Sequence, residues 1–167
     1  MCALGRRAIT EFNYRMGDPK DAQIFVGVQV VPGGDDRHQM VEMLREKGYL
    51  VTDLTDNEMA KLHIRHMVGG PAPATIHDEC VYRFEFPERP GALLNFLSTL
   101  GNRWNISMFH YRNHGAAFGR VLVGMEVPEQ ERGELENYLT ELNYPFINET
   151  NSIAYQQFLA ARSTTST

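Results

Sequence analysis

The sequence is poor in the features that mark several large classes of protein. It has only two cysteines, Cys2 and Cys80, and they stand in no CxxC or metal-ligand spacing, which favours a reducing compartment. No apolar run approaches the roughly 20 residues that span a bilayer. The opening MCALGRR also lacks the apolar core of a secretory signal. We therefore expect a soluble, intracellular protein.

Clustered positive charge is also missing. The net charge is −5 and no Lys/Arg cluster occurs, which argues against nucleic acid or an anionic membrane as a partner. The 43% hydrophobic and 22% charged fractions are those of an ordinary globular protein. At 167 residues, the chain can form one compact domain or two small ones.

Catalytic signatures are absent as well. The sequence contains no nucleophile elbow, HExxH, Walker loop or GxGxxG. His63 and His66 stand three apart on a predicted helix and could share a metal, yet no third ligand is near them in sequence, which favours an ordinary surface pair. His110 and His114 flank a predicted hairpin and are interpreted in the same way. We expect no catalytic residue and no metal site.

What the sequence does contain is an internal repeat. ITEFNYR (9–15) and ISMFHYR (106–112) lie 97 positions apart, and residues 9–30 align with 106–127 without a gap. After a two-residue gap, the alignment continues with 37–59 on 132–154. The identical positions of the gap-free part are Ile9/Ile106, Phe12/Phe109, Tyr14/Tyr111, Arg15/Arg112, Val26/Val123, Gly27/Gly124 and Val30/Val127. The chain is a duplication.

The second copy carries the complete pattern. Strands are predicted at 80–86, 106–112, 120–127 and 144–150, and helices at 91–103 and 129–143. Apolar residues at helical spacing mark the buried stripes of the two helices: Leu93, Leu94, Leu97 and Leu100 in the first, and Leu135, Leu139 and Leu142 in the second. The strand-helix-strand-strand-helix-strand order predicts an α+β, ferredoxin-like unit with both helices on one face of an antiparallel sheet.

The first copy lacks the initial strand and helix. It keeps a strand at 9–15, the hairpin at 17–22, a strand at 23–31, a helix at 35–48 and a strand at 49–55. A further helix follows at 55–67, where Thr55 and Glu58 fit a capping box. We expect apolar sheet surface to be left uncovered here. The predicted divisions are a truncated first unit (1–70), a linker (71–79), a complete second unit (80–162) and a disordered tail (163–167).

The segment FPERPGALLNF (86–96) is the most informative loop. Pro90 fits the first turn of a helix, and Gly91 lets a ligand approach the backbone closely. The free N–H groups of a helix start can bind a small carboxylate. Glu88 could then pair with an ammonium group, and Leu93 and Leu97 could form apolar walls. The alternative is an ordinary strand-to-helix turn.

The repeated Tyr-Arg pairs are the second candidate feature. Each pair places a phenol and a guanidinium at the end of a strand, and an arginine can fork onto a carboxylate. The alternative is a solvated arginine at a strand end. Arg7, just before the first strand, is another possible partner for an anion.

Several long strings give the chain a resemblance to a known family. ITEFNYR, DLTDNEMAKLHIRHMVGG, FEFPERPGALLNFLSTLGNRWNISMFHYRNHG and GRVLVGMEVP look like the C-terminal regulatory region of biosynthetic threonine dehydratase (threonine ammonia-lyase). The resemblance implies two tandem ACT-like units beside a pyridoxal-phosphate catalytic domain that this chain does not include. It implies isoleucine as an inhibitor and valine as its opponent, with no cofactor in this chain and a homo-oligomeric parent.

The resemblance also implies an effector site. Its residues would come from the PGAL turn and its surroundings, from the strand and preceding arginine of the first unit, and from the duplicate tyrosine of the second unit: Arg7, Tyr14, Glu88, Gly91, Ala92, Leu93, Leu97 and Tyr111. Two other functions stay open. One is an assembly module that binds no ligand, and the other is a small metal-dependent enzyme on a ferredoxin-like scaffold.

Overall fold

The structure, a computed structural model, describes residues 7–17, 22–67, 69–87, 92–100, 103–113 and 118–161. Its strands are β1 Ile9–Arg15, β2 Ile24–Val28, β3 Glu79–Pro87, β4 Asn105–Arg112, β5 Phe118–Glu126 and β6 Phe146–Asn148. Its helices are α1 Asp36–Glu46, α2 Arg65–Met67, α3 Ala92–Leu100, α4 Arg132–Glu141 and α5 Ile153–Phe158. A π-helical turn, Ala60–Ile64, leads into α2, and a 3₁₀ turn, Glu129–Glu131, leads into α4.

The strands form one six-stranded antiparallel sheet in the order β2-β1-β4-β5-β3-β6. The four strands of the second copy have the ferredoxin-like order, with the first strand of the unit, β3, between β5 and β6. β1 and β2 of the first copy extend this sheet from the edge of β4. The predicted α+β class, with two ferredoxin-like units in tandem, is confirmed, and the two copies share a single sheet.

The junction between the copies is reciprocal. Phe12 of β1 lies opposite Tyr111 of β4, and Tyr14 lies opposite Phe109. In the repeat, Phe12 is equivalent to Phe109 and Tyr14 to Tyr111. β1 therefore pairs with its own duplicate, β4, and exchanging the two copies turns one of these residue pairs into the other. This is the pairing of an isologous dimer interface, here within one chain.

Both copies also carry the same irregularity. The pairing register shifts between Ile9 and Glu11 in β1, and between the equivalent Ile106 and Met108 in β4. Equivalent glycines, Gly27 and Gly124, lie on the strands that face these bulges. A Cβ on Gly27 would stand 2.7 Å from Thr10 Oγ1, and one on Gly124 would stand 3.0 Å from Ser107 Oγ. A side chain at either position would therefore force the neighbouring strand or its side chains to shift, which favours glycine there.

The main core lies between one sheet face and the helices α3 and α4. The Phe84 and Phe96 rings meet edge-on with centroids 4.9 Å apart, and Leu135 and Leu139 are fully buried as predicted. The predicted inclusion of Leu94 in the buried stripe is wrong, because it is 38% exposed. Phe96 is buried in its place, since positions 93, 96, 97 and 100 follow the helical spacing of one face.

The first unit departs from prediction after α1. The strand predicted at 49–55 is absent: these residues are irregular, and the side chain of Leu50 is fully exposed. In the second unit the corresponding strand, β6, pairs with β3. Within the described residues β2 pairs with β1 alone, so residues 49–55 have no equivalent of β3 to join.

The capping box, the short helix α5 and two segments outside the described residues complete the comparison with the sequence predictions. The capping box is wrong, because Thr55 binds Asp53 and the side chain of Asn57 caps the next helical turn by accepting from the Ala60 amide at 2.8 Å. The short helix α5 was not predicted. Residues 18–21 of the predicted hairpin at 17–22 and the whole predicted tail lie outside the described residues.

Candidate functional site

One end of the sheet gathers most of the predicted effector residues, and we call it the turn end. Here β3 ends at Pro87, opposite Phe118 at the start of β5, and α3 begins at Ala92. One row of side chains crosses the helix-covered face near this end: Phe12, Tyr111, Val121, Phe84 and Phe146 are successive cross-strand partners. The row places Tyr111 in the sheet beneath α3 and α4.

Four predicted residues belong to one cluster at this place. Leu93 and Tyr111 are buried in the main core, and Ala92 and Leu97 are half-buried against it. Tyr111 is 2% exposed, so its ring acts as part of the floor of the core. Glu88 and Gly91, like Pro90 between them, lie outside the described residues, and their roles stay predictions.

Arg7 lies at the same end but toward the first unit. β1 is antiparallel to β4, so its N-terminal end adjoins the C-terminal end of β4. Three strand spacings, about 14 Å, separate β1 from β3. Arg7 Nε donates to Asp36 Oδ1 at 3.0 Å, and Arg7 Nη2 binds the same oxygen. This hydrogen-bonded pairing raises the pKa of Arg7 and lowers the pKa of Asp36.

Tyr14 lies one row further from the turn end, opposite Phe109. Its side chain is half-buried on the helix-covered face, and burial, with the charge of Glu126, raises its pKa. Tyr14 and Tyr111 are therefore diagonal neighbours in the sheet. The two Tyr-Arg pairs do not converge on one site, because their antiparallel strands end at opposite ends of the sheet.

Arg15 does fork onto a carboxylate, as its chemistry allows, but the carboxylate belongs to the protein. Its Nη1 and Nη2 donate to the two carboxylate oxygens of Glu79 at 2.5 and 3.1 Å. The two side chains are 2% and 5% exposed. The equivalent Arg112 is half-buried and lies opposite Glu11. Arg15 therefore has a structural partner, while its duplicate occupies a more open position.

A depression of about 340 Å³ lies at the turn end and was missed by sequence reasoning. It is lined by Thr140, Asn143, Tyr144, Pro145 and Phe146. Phe146 faces Phe84, and the Glu85 amide donates to the Pro145 carbonyl at 3.2 Å, which places the depression beside the end of β3. Asn143 ends α4 with a φ of 54°. The Asn-Tyr-Pro string was the available signal, since Asn tolerates this left-handed conformation.

The remaining candidates show no comparable arrangement. Within the described ranges, no group of three or more His, Cys, Asp and Glu side chains is placed to hold a metal ion. His63 and His66 are exposed along the π-helical turn and α2. Cys80 is buried in the main core, where burial raises the pKa of its thiol. Among the described helices, none is long and apolar enough to cross a membrane.

Taken together, the shared sheet, the reciprocal junction and the turn end define a class: tandem ferredoxin-like units of the ACT-like type. The family model described as the C-terminal regulatory domain of threonine dehydratase matches residues 1–64 and 70–159. The chain belongs to this family of regulatory domains.

Individual relatives agree with this assignment. The chain is 54% identical over 157 residues to the biosynthetic L-threonine dehydratase IlvA of Escherichia coli (strain K12), covering 94% of this chain and 30% of the relative. It is 48% identical over 160 residues to the same enzyme of Burkholderia multivorans, covering 95% and 31%. It is 41% identical over 162 residues to the mitochondrial threonine dehydratase of Saccharomyces cerevisiae, covering 92% and 28%. The chain thus spans less than a third of the length of these relatives.

Proposed function

We propose that this chain binds a branched-chain amino acid and thereby regulates a threonine dehydratase, with isoleucine as inhibitor and valine as its opponent. Membership of the regulatory-domain family supports this role. The observation that carries it is the turn end, where α3 begins and Leu93 and Leu97 pack in one cluster with Tyr111. The 340 Å³ depression lies at the same end of the sheet but is lined by residues from the end of α4 to the start of β6, not by these leucines.

The chemistry of the turn end suits a small amino acid. The first amides of α3 lack carbonyl partners within the helix and can donate to a carboxylate. Glu88 would pair with the ammonium group, and the leucines would contact the branched side chain. Tyr111 lies beneath this region. Arg7 would have to release Asp36 before it could bind an effector carboxylate. With Tyr14, Gly91 and Ala92, these residues remain the proposed contact set.

Opposite effects of isoleucine and valine require more than a difference in affinity. The two differ by one methylene, which distinguishes them by only about 1–3 kcal/mol. A ligand shifts a conformational equilibrium only as far as its affinities for the two states differ. We therefore propose that the two amino acids favour different states of the two-unit sheet.

The regulated chemistry would lie outside this chain. We propose that the chain has no catalytic residue and no cofactor of its own, and that pyridoxal phosphate is bound by a catalytic domain of the parent protein. The parent would be a homo-oligomer in the cytoplasm, or in a plastid or mitochondrion of a eukaryote. The name of the Saccharomyces cerevisiae relative places that protein in the mitochondrion, and the name of a biosynthetic threonine dehydratase of Solanum lycopersicum places that one in the chloroplast.

A second candidate function is assembly without a ligand. It is favoured by the first unit, where Ile24 of β2 is 53% exposed and Val31 is 68% exposed. An edge strand with exposed apolar side chains can pair with another chain. Sedimentation velocity with and without L-isoleucine distinguishes the two, since a pure assembly module would associate to the same extent in both.

Calorimetric titration of the folded chain tests the leading proposal. L-Isoleucine, L-valine, L-leucine and D-isoleucine would each be titrated into the protein. We expect saturable binding of L-isoleucine, displacement by L-valine and no heat from D-isoleucine. A chain shown to be folded by circular dichroism that gives no heat with any of them would contradict the proposal.

A further inference from the structure

A buried polar cluster lies on the sheet face opposite the main core, and we call it the Arg15 junction. It comprises Arg15, Glu79, Ser107, Tyr155 and the carbonyl of Leu159. Arg15 holds both oxygens of Glu79, and its Nη2 also donates to the Leu159 carbonyl at 2.6 Å. The hydroxyl of Tyr155 donates to Glu79 Oε2 at 2.6 Å, and the Ser107 hydroxyl donates to Glu79 Oε1.

The junction joins parts of the chain that are distant in sequence. Arg15 belongs to the first unit, Glu79 and Ser107 belong to strands of the second, and Tyr155 and Leu159 belong to the C-terminal segment. Charge-assisted and bidentate hydrogen bonds of this kind are the strongest in proteins. A buried charge is costly to leave without its partner, so these segments are held together as a set.

The position of α5 depends on this cluster. The helix has only six residues, too few to be stable by itself in water. Tyr155 is its one buried residue, while Ile153 and Phe158 are 75% and 71% exposed. The Leu159 carbonyl also accepts from the Ala72 amide at 2.8 Å. Tyr155 therefore anchors α5 to the sheet through a small apolar contact with Val81 and Met108 and through the junction.

β1 links this cluster to the other face of the sheet. Phe12 and Tyr14 pack into the main core, which also contains Leu93 and Leu97, whereas Arg15 points to the opposite face and into the junction. Successive residues of a strand face opposite sides of the sheet. A displacement of β1 caused at the core would therefore also move the guanidinium that holds Glu79 and Leu159.

We propose that the Arg15 junction transmits the effector state from the helix-covered face to α5, so that α5 is the output element of the module. This inference rests on the proposed function. Its two states are α5 held against the sheet by the complete junction and α5 released from it. Binding of isoleucine, by ordering the core around Leu93 and β1, favours the held state.

Hydrogen exchange measured by mass spectrometry on the whole chain tests this transmission. The readout is the exchange of amides in 153–161, with and without saturating L-isoleucine, where saturation is established by calorimetry. Tyr155→Phe removes one junction hydroxyl with little change in volume. Tyr138→Phe is the matched control, because its hydroxyl donates to the Thr99 carbonyl on the other face and touches no junction residue.

In the wild type and in Tyr138→Phe, we expect isoleucine to slow exchange in 153–161 about fivefold or more, the lower range of allosteric coupling. In Tyr155→Phe, we expect isoleucine still to bind, but to slow amide exchange in 153–161 by less than about twofold. Binding to the wild type with no change in 153–161 would overturn the transmission and leave the proposed function intact. No binding of isoleucine to the folded wild type would overturn both. Exchange in the wild type, compared with and without isoleucine, tests the transmission even if a variant does not fold.

Discussion

Asn13 of β1 lies directly opposite His110 of β4, and the two occupy equivalent positions of the duplicated sequence. A local two-fold axis therefore passes between them, perpendicular to the sheet. The environments on the two sides differ all the same. Asn13 is buried and donates to Glu11 Oε1 at 3.0 Å, whereas His110 is exposed. The duplicated strand was adapted to two tasks, one internal and one at the surface.

Arg15→Met should destabilise the protein strongly. The substitution leaves Glu79 buried without its cationic partner, and breaking such a pair costs about 3–5 kcal/mol. Arg112→Met, at the equivalent but half-buried position, should cost less than about 1 kcal/mol. Urea unfolding followed by circular dichroism gives both values. Equal losses of stability in the two variants would show that the bidentate pairing of Arg15 with Glu79 does not stabilise the protein more than the Arg112 side chain does.

Leu93→Phe should weaken isoleucine binding at least about tenfold, because a larger side chain in this packed cluster displaces its neighbours. Leu94→Phe, one residue along α3 and 38% exposed, should bind as the wild type does. Calorimetric titration of both variants, after thermal melts that confirm folding, makes the comparison. Unchanged affinity in Leu93→Phe would place the effector away from the turn end.

Gly124→Ala should lower the free energy of unfolding by about 1–3 kcal/mol, since its Cβ would stand 2.8 Å from Glu79 Oε1 and 3.1 Å from Met108 Cβ. Gly133→Ala should instead stabilise the protein by up to about 1 kcal/mol. Gly133 lies in α4 with open space around it, and alanine favours the helix. Chemical denaturation of the pair tests both signs. An unchanged free energy of unfolding in Gly124→Ala would show that β4 and Glu79 can shift to make room for the added methyl group.

The lowered pKa of Asp53 should make the stability of the protein depend on pH in the acidic range. The hydroxyl and amide of Thr55, followed by Arg37, hold the pKa of Asp53 at about 2, below its ordinary value of 3.8. The unfolded state therefore takes up this proton first as the pH falls. The contribution of Asp53 is complete above about pH 5 and is lost progressively down to about pH 2.

Thr55→Val tests the cause of that shift. It removes the hydroxyl that donates to Asp53 Oδ1 at 2.6 Å and keeps the amide donor. We expect the Asp53 titration, followed by carbon NMR of its carboxyl, to move toward the ordinary value, and the loss of stability between pH 5 and pH 2 to become smaller. An unchanged titration would assign the shift to the amide and Arg37 instead.

Local patterns predicted the second unit well. β3, α3, β4, β5, α4 and β6 all occur where period-two and helical spacings placed them, with ends that differ by a few residues. The strand at 49–55 and the helix α5 were mispredicted or missed for one reason. Whether each forms is decided by a partner that is distant in the sequence. In the described residues, 49–55 have no strand to pair with and stay irregular, whereas α5 forms because Tyr155 anchors it to Glu79.

By itself, the sequence determined the duplication, the order of strands and helices in the second unit, and membership of the regulatory-domain family. These depend on residues close together in the chain and on direct similarity. Only the tertiary structure decided that the two Tyr-Arg pairs end at opposite ends of the sheet, and that Arg15 binds Glu79 while Arg112 stays more open. Strand direction and register set these relationships, and equivalent residues in two copies acquire different neighbours once the copies share one sheet.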